Sequence, residues 1–139
     1  MEGKFPAPLP TATEDSQPFW DACKRQELLI QKCDDCGHYR FPPSVVCPKC
    51  MSMNARWVKT SGKATLYSWT IFHQVYWPSF AEQIPYNVAI IELEEGPRMH
   101  SNIVECKNED IHIDMPLELV FEQIEETEFY LPKYKPAAG

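Results

Sequence analysis

Four cysteines carry the most specific chemistry in this chain. Cys33 and Cys36 form one C-x2-C pair, and Cys47 and Cys50 form a second, within KCDDCGHYRFPPSVVCPKC. A C-x2-C pair puts two thiolates on one tight turn, both facing the same point. Two such turns set against each other offer four sulfurs in a tetrahedron, the ligand set of a structural Zn2+. Gly37 follows the first pair, where the turn calls for positive φ or a close backbone approach. Pro48 stiffens the second pair. The spacer between the pairs is shorter than in common zinc templates but long enough for a small hairpin. Iron in a rubredoxin-like electron carrier is the competing reading, because four thiolates alone do not separate the two metals. Disulfides fit poorly: one within C-x2-C closes a very small loop, and disulfides belong to secreted chains. Cys23 and Cys106 lie outside the cluster and read as small buried hydrophobes.

The segments around the cysteines must position them. Leu28 to Gln31 leads into the first pair, Tyr39 to Phe41 returns from it, and Pro42-Pro43 ends the return. This is the plan of a zinc ribbon, where metal replaces a core that so few residues cannot build. Residues 51–60 read as a connector with one aromatic, Trp57. Residues 1–12, rich in Pro and Ala, read as an extended arm. TEDSQPFWDACKRQEL predicts a short helix, with Thr13, Asp15 and Ser16 as candidate caps and Pro18 in the first turn. Phe19, Trp20 and Cys23 fall on one side of it, to dock the helix on its own domain or on a partner subunit.

From Lys63 the hydrophobic period becomes two, the signature of strands. Tyr67, Trp69 and Ile71 alternate with Ser68, Thr70 and Phe72. The same alternation picks out Ala89, Ile91 and Leu93, then Met99, Ser101 and Ile103, then Leu117, Leu119 and Phe121. Ile111 to Asp114 reads as a further short strand and Phe129 to Leu131 as a last one. No helix is long enough to cross between parallel strands, so the sheet is antiparallel, and a small sheet hides its edges best by closing. The expected fold is mainly β. It comprises an arm and helix over 1–27, a rubredoxin-like zinc ribbon over 28–60, and a five-stranded antiparallel OB-fold barrel with its tail over 61–139. One loop, His73 to Tyr86, is crowded with Tyr76, Trp77, Phe80, Ile84 and Tyr86 where loops are normally polar. Such aromatics either cap the barrel or form a sticky surface.

Charge narrows the function. The 139 residues carry a net −7, and four thiolates holding Zn2+ add two further negative charges. A nucleic-acid binder needs a basic stripe to replace counterions, and the lysines and arginines here are scattered. That weighs against a single-stranded nucleic-acid module in which Tyr67, Trp69 and Trp77 would stack bases. No apolar run is long enough to span a membrane. The N-terminus lacks the features of a signal peptide, so a cytoplasmic location is expected. Independent catalysis finds no support. His38, His73, His100 and His112 sit in no recognised motif, and a metal with four thiolates has no open position for water. Glu94-Glu95 and Glu125-Glu126 read as turn and surface charges.

In order, the PFW helix, the C-x2-CG…FPP…CP-x-C ribbon, SGKATLYSWT, PYNVAIIELEEGPRMHSNIVE, IDMPLELVFE and LPKYKP resemble the DUF35 family over nearly the whole chain. The resemblance implies a rubredoxin-like zinc ribbon followed by an OB fold. It also implies a non-catalytic accessory subunit of a thiolase-superfamily enzyme that cleaves C–C bonds of acyl-CoA by thiolysis or retro-aldol chemistry. Within the family the chain looks similar to small subunits of the benzoylsuccinyl-CoA-thiolase type. The partner is then expected to meet Phe19, Trp20, Tyr76, Trp77 and Phe80. CoA phosphates are expected near Lys49, Arg56, Lys59 and Lys63, which cluster in sequence where ribbon joins barrel and can make charge-assisted bonds. Two positions depart from the family pattern. Ser44 follows FPP where members often carry Arg, and Asp114 precedes Met115 where Gly is common.

Overall fold

The computed structural model describes residues 9–76, 78–124 and 127–137. In chain order it contains helix α1 (Gln17–Lys24) and strands β1 (Leu29–Cys33), β2 (Tyr39–Arg40), β3 (Ala55–Lys59), β4 (Lys63–Phe72) and β5 (Tyr86–Leu93). Then come β6 (Arg98–Ser101), β7 (Pro116–Gln123) and β8 (Tyr130–Pro136), with short 3-10 turns at Pro78–Phe80 and Asn108–Asp110.

Helix α1 begins after a turn in which Thr13 and Ser16 bond to each other, the Gln17 N–H donating to the Thr13 carbonyl at 2.8 Å. Ser16 is the cap residue, although its side chain makes no cap bond. The helix ends with Gln26 in the left-handed region, φ 61°. There the Gln26 and Glu27 N–H groups donate back to Cys23 and Ala22, closing the last turn in the Schellman pattern. Phe19, Ala22 and Cys23, spaced three and four apart, form its buried face.

Three strands in the order β2-β1-β3 make the ribbon, and five in the order β6-β5-β4-β7-β8 make a curled antiparallel OB-like sheet. The edges of the larger sheet approach each other. Ile103 bridges Tyr134, the Tyr134 N–H donates to the Asn102 carbonyl, and the Val104 N–H donates to the Tyr134 carbonyl. Inside lie Ala64, Leu66, Ala89, Ile91, Leu93, Met99, Ile103, Leu117 and Tyr134. Phe19 and Cys23 of α1, with Leu28 and Ile30 at the root of the ribbon, belong to the same core. Asn87 is a buried polar clip. Its amide bonds both the N–H and the carbonyl of Ile103, at 2.7 and 2.9 Å, and so fixes the chain leaving β6 against β5.

The alternations of β5, β6 and β7 lie as expected: Ala89, Ile91 and Leu93 are buried, as are Met99, Ser101 and Leu117. Four segments differ. The expected connector contains β3, which pairs with β1 from Leu29↔Lys59 to Cys33↔Ala55. The expected strand at Ile111 to Asp114 is a turn instead. Ile113 is exposed and Asp114 has φ 61°, a conformation that ends a strand. Strand β8 is longer than expected and tolerates Pro132 and Pro136 because it ends the sheet order, where a missing N–H costs little. Strand β4 also carries a register shift between Leu66 and Ser68. This bulge at Tyr67 moves the inward set from Ala64 and Leu66 to Trp69 and Ile71.

Candidate metal centre and its surroundings

The two cysteine pairs sit on turns of the same design. In the first, the Gly37 N–H donates to the Cys33 carbonyl at 3.0 Å and the Cys33 N–H to the His38 carbonyl at 2.9 Å. In the second, the Met51 N–H donates to Cys47 at 2.9 Å and the Cys47 N–H to Ser52 at 2.8 Å. The residue after each pair is left-handed, Gly37 at φ 76° and Met51 at φ 65°. The sequence announces this at Gly37 but gives no sign of it at Met51. The turns are tied together by Asp35, whose carboxylate accepts from the Ser52 hydroxyl and from Asn54, and by the Asp34 N–H on the Asn54 carbonyl. Those two side-chain bonds hold the Asp35 carboxyl below its ordinary pKa.

All four sulfurs lie within 4.8 Å of one another. The Cys33–Cys50 and Cys36–Cys47 contacts are 3.5 and 3.6 Å. A tetrahedron with metal–sulfur arms of about 2.3 Å has edges of about 3.8 Å, so the set fits Zn2+ held by Cys33, Cys36, Cys47 and Cys50. Backbone dipoles favour the thiolate form of the inner two. The Cys36 N–H leads in lowering the Cys33 thiol, and the N–H groups of Cys50 and Lys49 draw Cys47 down to about 6 against the opposing effect of burial. A Ser52 N–H pulls Cys50 the same way, yet loss of hydration and the three neighbouring sulfurs push it up to about 12. Four adjacent sulfurs can all be thiolates only around a cation. Bound there, Zn2+ supplies a fourfold cross-link and, fully ligated, no site for substrate.

A buried polar pair supports the ribbon from behind. Arg40 donates through Nε to Gln31 Oε1 at 3.0 Å and through Nη2 to the Ser44 carbonyl at 2.8 Å, while the Ser44 N–H donates to the same Gln31 oxygen at 2.8 Å. Ser44 therefore anchors the loop through its backbone. Sequence reasoning missed Arg40 and Gln31. Their only signal was their opposition across β1 and β2.

The four cations expected to meet CoA do not converge. Arg56 and Lys59 are an odd number of residues apart on β3 and so face opposite ways, and Arg56 lies 3.6 Å from the Asp34 carboxylate. Lys63 lines a shallow hollow with Glu92 and Glu94. Lys49 alone lines the cleft between ribbon and barrel, with Tyr39, Arg40, Phe41, Glu95 and Arg98 among its neighbours. The expected partner-facing aromatics also divide. Phe19 is only 6% exposed and packs on Trp20 and Phe41, so it serves the core of its own chain and is withdrawn as an exposed anchor. Trp20 is half-buried, edge-on to Phe129 at 5.5 Å. In the aromatic loop, Phe72, Tyr86 and Phe80 form a chain of ring contacts over the ends of β4 and β5, and Tyr76, 69% exposed, sits at its outer end. Trp77 lies outside the described residues.

Comparison with known proteins matches this layout. Residues 20–52 fit the family model of the ChsH2 rubredoxin-like zinc ribbon domain, and residues 57–122 that of the ChsH2 C-terminal OB-fold domain. A DUF35 domain-containing scaffold protein of Methanocaldococcus jannaschii is 42% identical over 109 residues, 77% of each chain. A probable enoyl-CoA hydratase alpha subunit of Thermomonospora curvata is 35% identical over 94% of this chain, which spans 40% of that longer subunit. Among solved structures, a chain of the Ltp2-ChsH2(DUF35) aldolase superposes with a TM-score of 0.84 at 34% identity, covering 94% of this chain and 100% of that one. No helix among the described residues is long and apolar enough to cross a membrane. The four-cysteine ribbon and the OB-like sheet thus place the chain in the DUF35 family of zinc-ribbon/OB-fold scaffold proteins.

Proposed function

We propose that this chain is a non-catalytic accessory subunit of an acyl-CoA enzyme complex whose catalytic subunit has a thiolase-type fold. The observation that carries the reading is the near full-length likeness to a chain of the Ltp2-ChsH2(DUF35) aldolase. The relative named as an enoyl-CoA hydratase alpha subunit supports the same acyl-CoA setting. Residue chemistry agrees: the concentrated set of metal-ligating groups among the described residues, the four thiols, is suited to closing around a metal. The groups that break the C–C bond, by thiolysis or retro-aldol cleavage, belong to the partner. This chain contributes shape, docking surface and order to the partner's acyl-CoA site, in the cytoplasm, where its thiols stay reduced. Its scattered cations do not form a phosphate clamp of their own.

The test is co-expression with a thiolase-type enzyme of the same organism, followed by size-exclusion chromatography and acyl-CoA titration. The expected result is a stable hetero-oligomer, with the isolated partner inactive or weakened in acyl-CoA binding. A chain that stays monomeric, beside a partner fully active alone with unchanged affinity, would overturn the reading.

A further inference from the structure

We propose that the cysteine cluster is a peroxide-sensitive zinc-release switch, in which oxidation joins Cys33 to Cys50 and Cys36 to Cys47 and so exchanges the metal for two cross-turn disulfides. The four sulfurs differ in access: Cys33 and Cys47 are buried, Cys36 and Cys50 exposed. Cys36 also lines the cleft between ribbon and barrel. The short sulfur contacts, 3.5 and 3.6 Å, each join one exposed sulfur to a buried one on the opposite turn. They share no member, so the two pairs lie on opposite edges of the tetrahedron and can react independently. Oxidation of cysteine follows thiolate character and exposure, and zinc ligation keeps all four sulfurs as thiolates. An oxidant therefore reaches either pair through its exposed member. Outside the cluster, burial pushes the Cys23 thiol up to about 12, which keeps it out of this chemistry.

The step balances with hydrogen peroxide as the oxidant. The exposed thiolate attacks one peroxide oxygen, the O–O bond breaks, and with one proton the other oxygen leaves as water. The resulting sulfenic acid meets the buried thiolate beside it, the S–S bond forms, and with a second proton the hydroxyl leaves as water. Each pair thus passes two electrons to one peroxide. Two peroxides and four protons use up all four thiolates, yield four waters and release Zn2+. The fold favours cross-turn pairing. The Asp34 N–H on the Asn54 carbonyl, and Asp35 on Ser52 and Asn54, hold the turns together while the sulfurs move. A disulfide within C-x2-C would leave the turns without a covalent tie. The cross-turn bonds supply that tie after the metal is lost, and exchange with a dithiol returns them to thiolates, which makes the change reversible.

The switch belongs to this chain alone, so its test is independent of the accessory role. The zinc-loaded full chain, in a Cys106→Ser background, is treated with excess hydrogen peroxide beside an untreated control, while a chromogenic chelator reads released zinc. The chain is then alkylated, denatured and digested with trypsin. Bound zinc is expected to fall from one equivalent to almost none, and dithiothreitol with added zinc to restore it. Trypsin cuts after Lys32, Arg40, Lys49 and Arg56, placing Cys33 and Cys36 on peptide 33–40, Cys47 on 41–49 and Cys50 on 50–56. The expected disulfides link all three peptides into one species, and fragmentation assigns Cys33 to Cys50 and Cys36 to Cys47. Before oxidation, limited N-ethylmaleimide should label Cys36 and Cys50 ahead of Cys33 and Cys47. The proposal is overturned by zinc retained under peroxide, by an internal disulfide in 33–40, by Cys33 paired with Cys47, by irreversible sulfinic acids, or by labelling of a buried cysteine first.

Discussion

The ribbon and the barrel are both small antiparallel sheets, but different forces hold them. In the barrel, every second residue of β5 from Asn87 to Leu93 is buried, and Leu66, Ile91 and Leu117 are wholly enclosed. In the ribbon from residue 33 to 54, the buried side chains are Cys33, Arg40 and Cys47. That is too little apolar surface to offset the entropy of ordering the segment. Four sulfurs converging on one point provide what packing does not. The two regimes meet at Leu28 and Ile30, which leave the ribbon to join the barrel's core.

Cys47→Ser should separate the two regimes most strongly. Structural zinc contributes about 10–16 kcal/mol of apparent binding energy in zinc-finger peptides, so losing one ligand should reduce zinc from one equivalent to almost none by elemental analysis. The barrel's circular dichroism should change little. The converse is Leu66→Ala, which opens a cavity in the barrel and should cost about 3 kcal/mol in denaturant unfolding while zinc stays at one equivalent. Tyr76→Ala touches neither core. It should leave folding unchanged and weaken assembly with the partner by about 2 kcal/mol if the exposed ring is an interface anchor. The smallest effect compares the two cysteine turns with each other. Met51→Gly gives the second turn the residue type of the first and should stabilise the ribbon by about 1 kcal/mol, by relieving a side chain held at positive φ. Asp114→Gly should do the same in the barrel by less, because Asp tolerates that conformation better than Met.

What the sequence revealed follows the same division. The metal site was legible because ligand type and spacing are local. Strand β5 was legible because one of its faces is buried, and β7 because Leu117, Leu119 and Phe121 pack on the core at the period of a strand. Strand β3 was not, because Arg56 and Lys59 carry it past any apolar pattern and its pairing with β1 serves a sheet closed by metal. Ile111 and Ile113 imitate a strand, but only Ile111 is buried. The bulge at Tyr67 depends on tertiary pairing and leaves no local mark. Arg40 escaped notice because a lone arginine in a short strand reads as a surface charge until Gln31 is seen opposite. Phe19 and Trp20 could face inward or outward along a single helix face, and only packing against Phe41 and Phe129 decides.

The most direct test of the metal's role is hydrogen exchange of the chain with zinc bound and after chelation. The account predicts that amides bonded around the two turns, including Cys33, Gly37, Cys47 and Met51, lose protection, while those of β4, β5 and β7 keep theirs. Uniform loss across both sheets, or unchanged protection in the ribbon without metal, would contradict it.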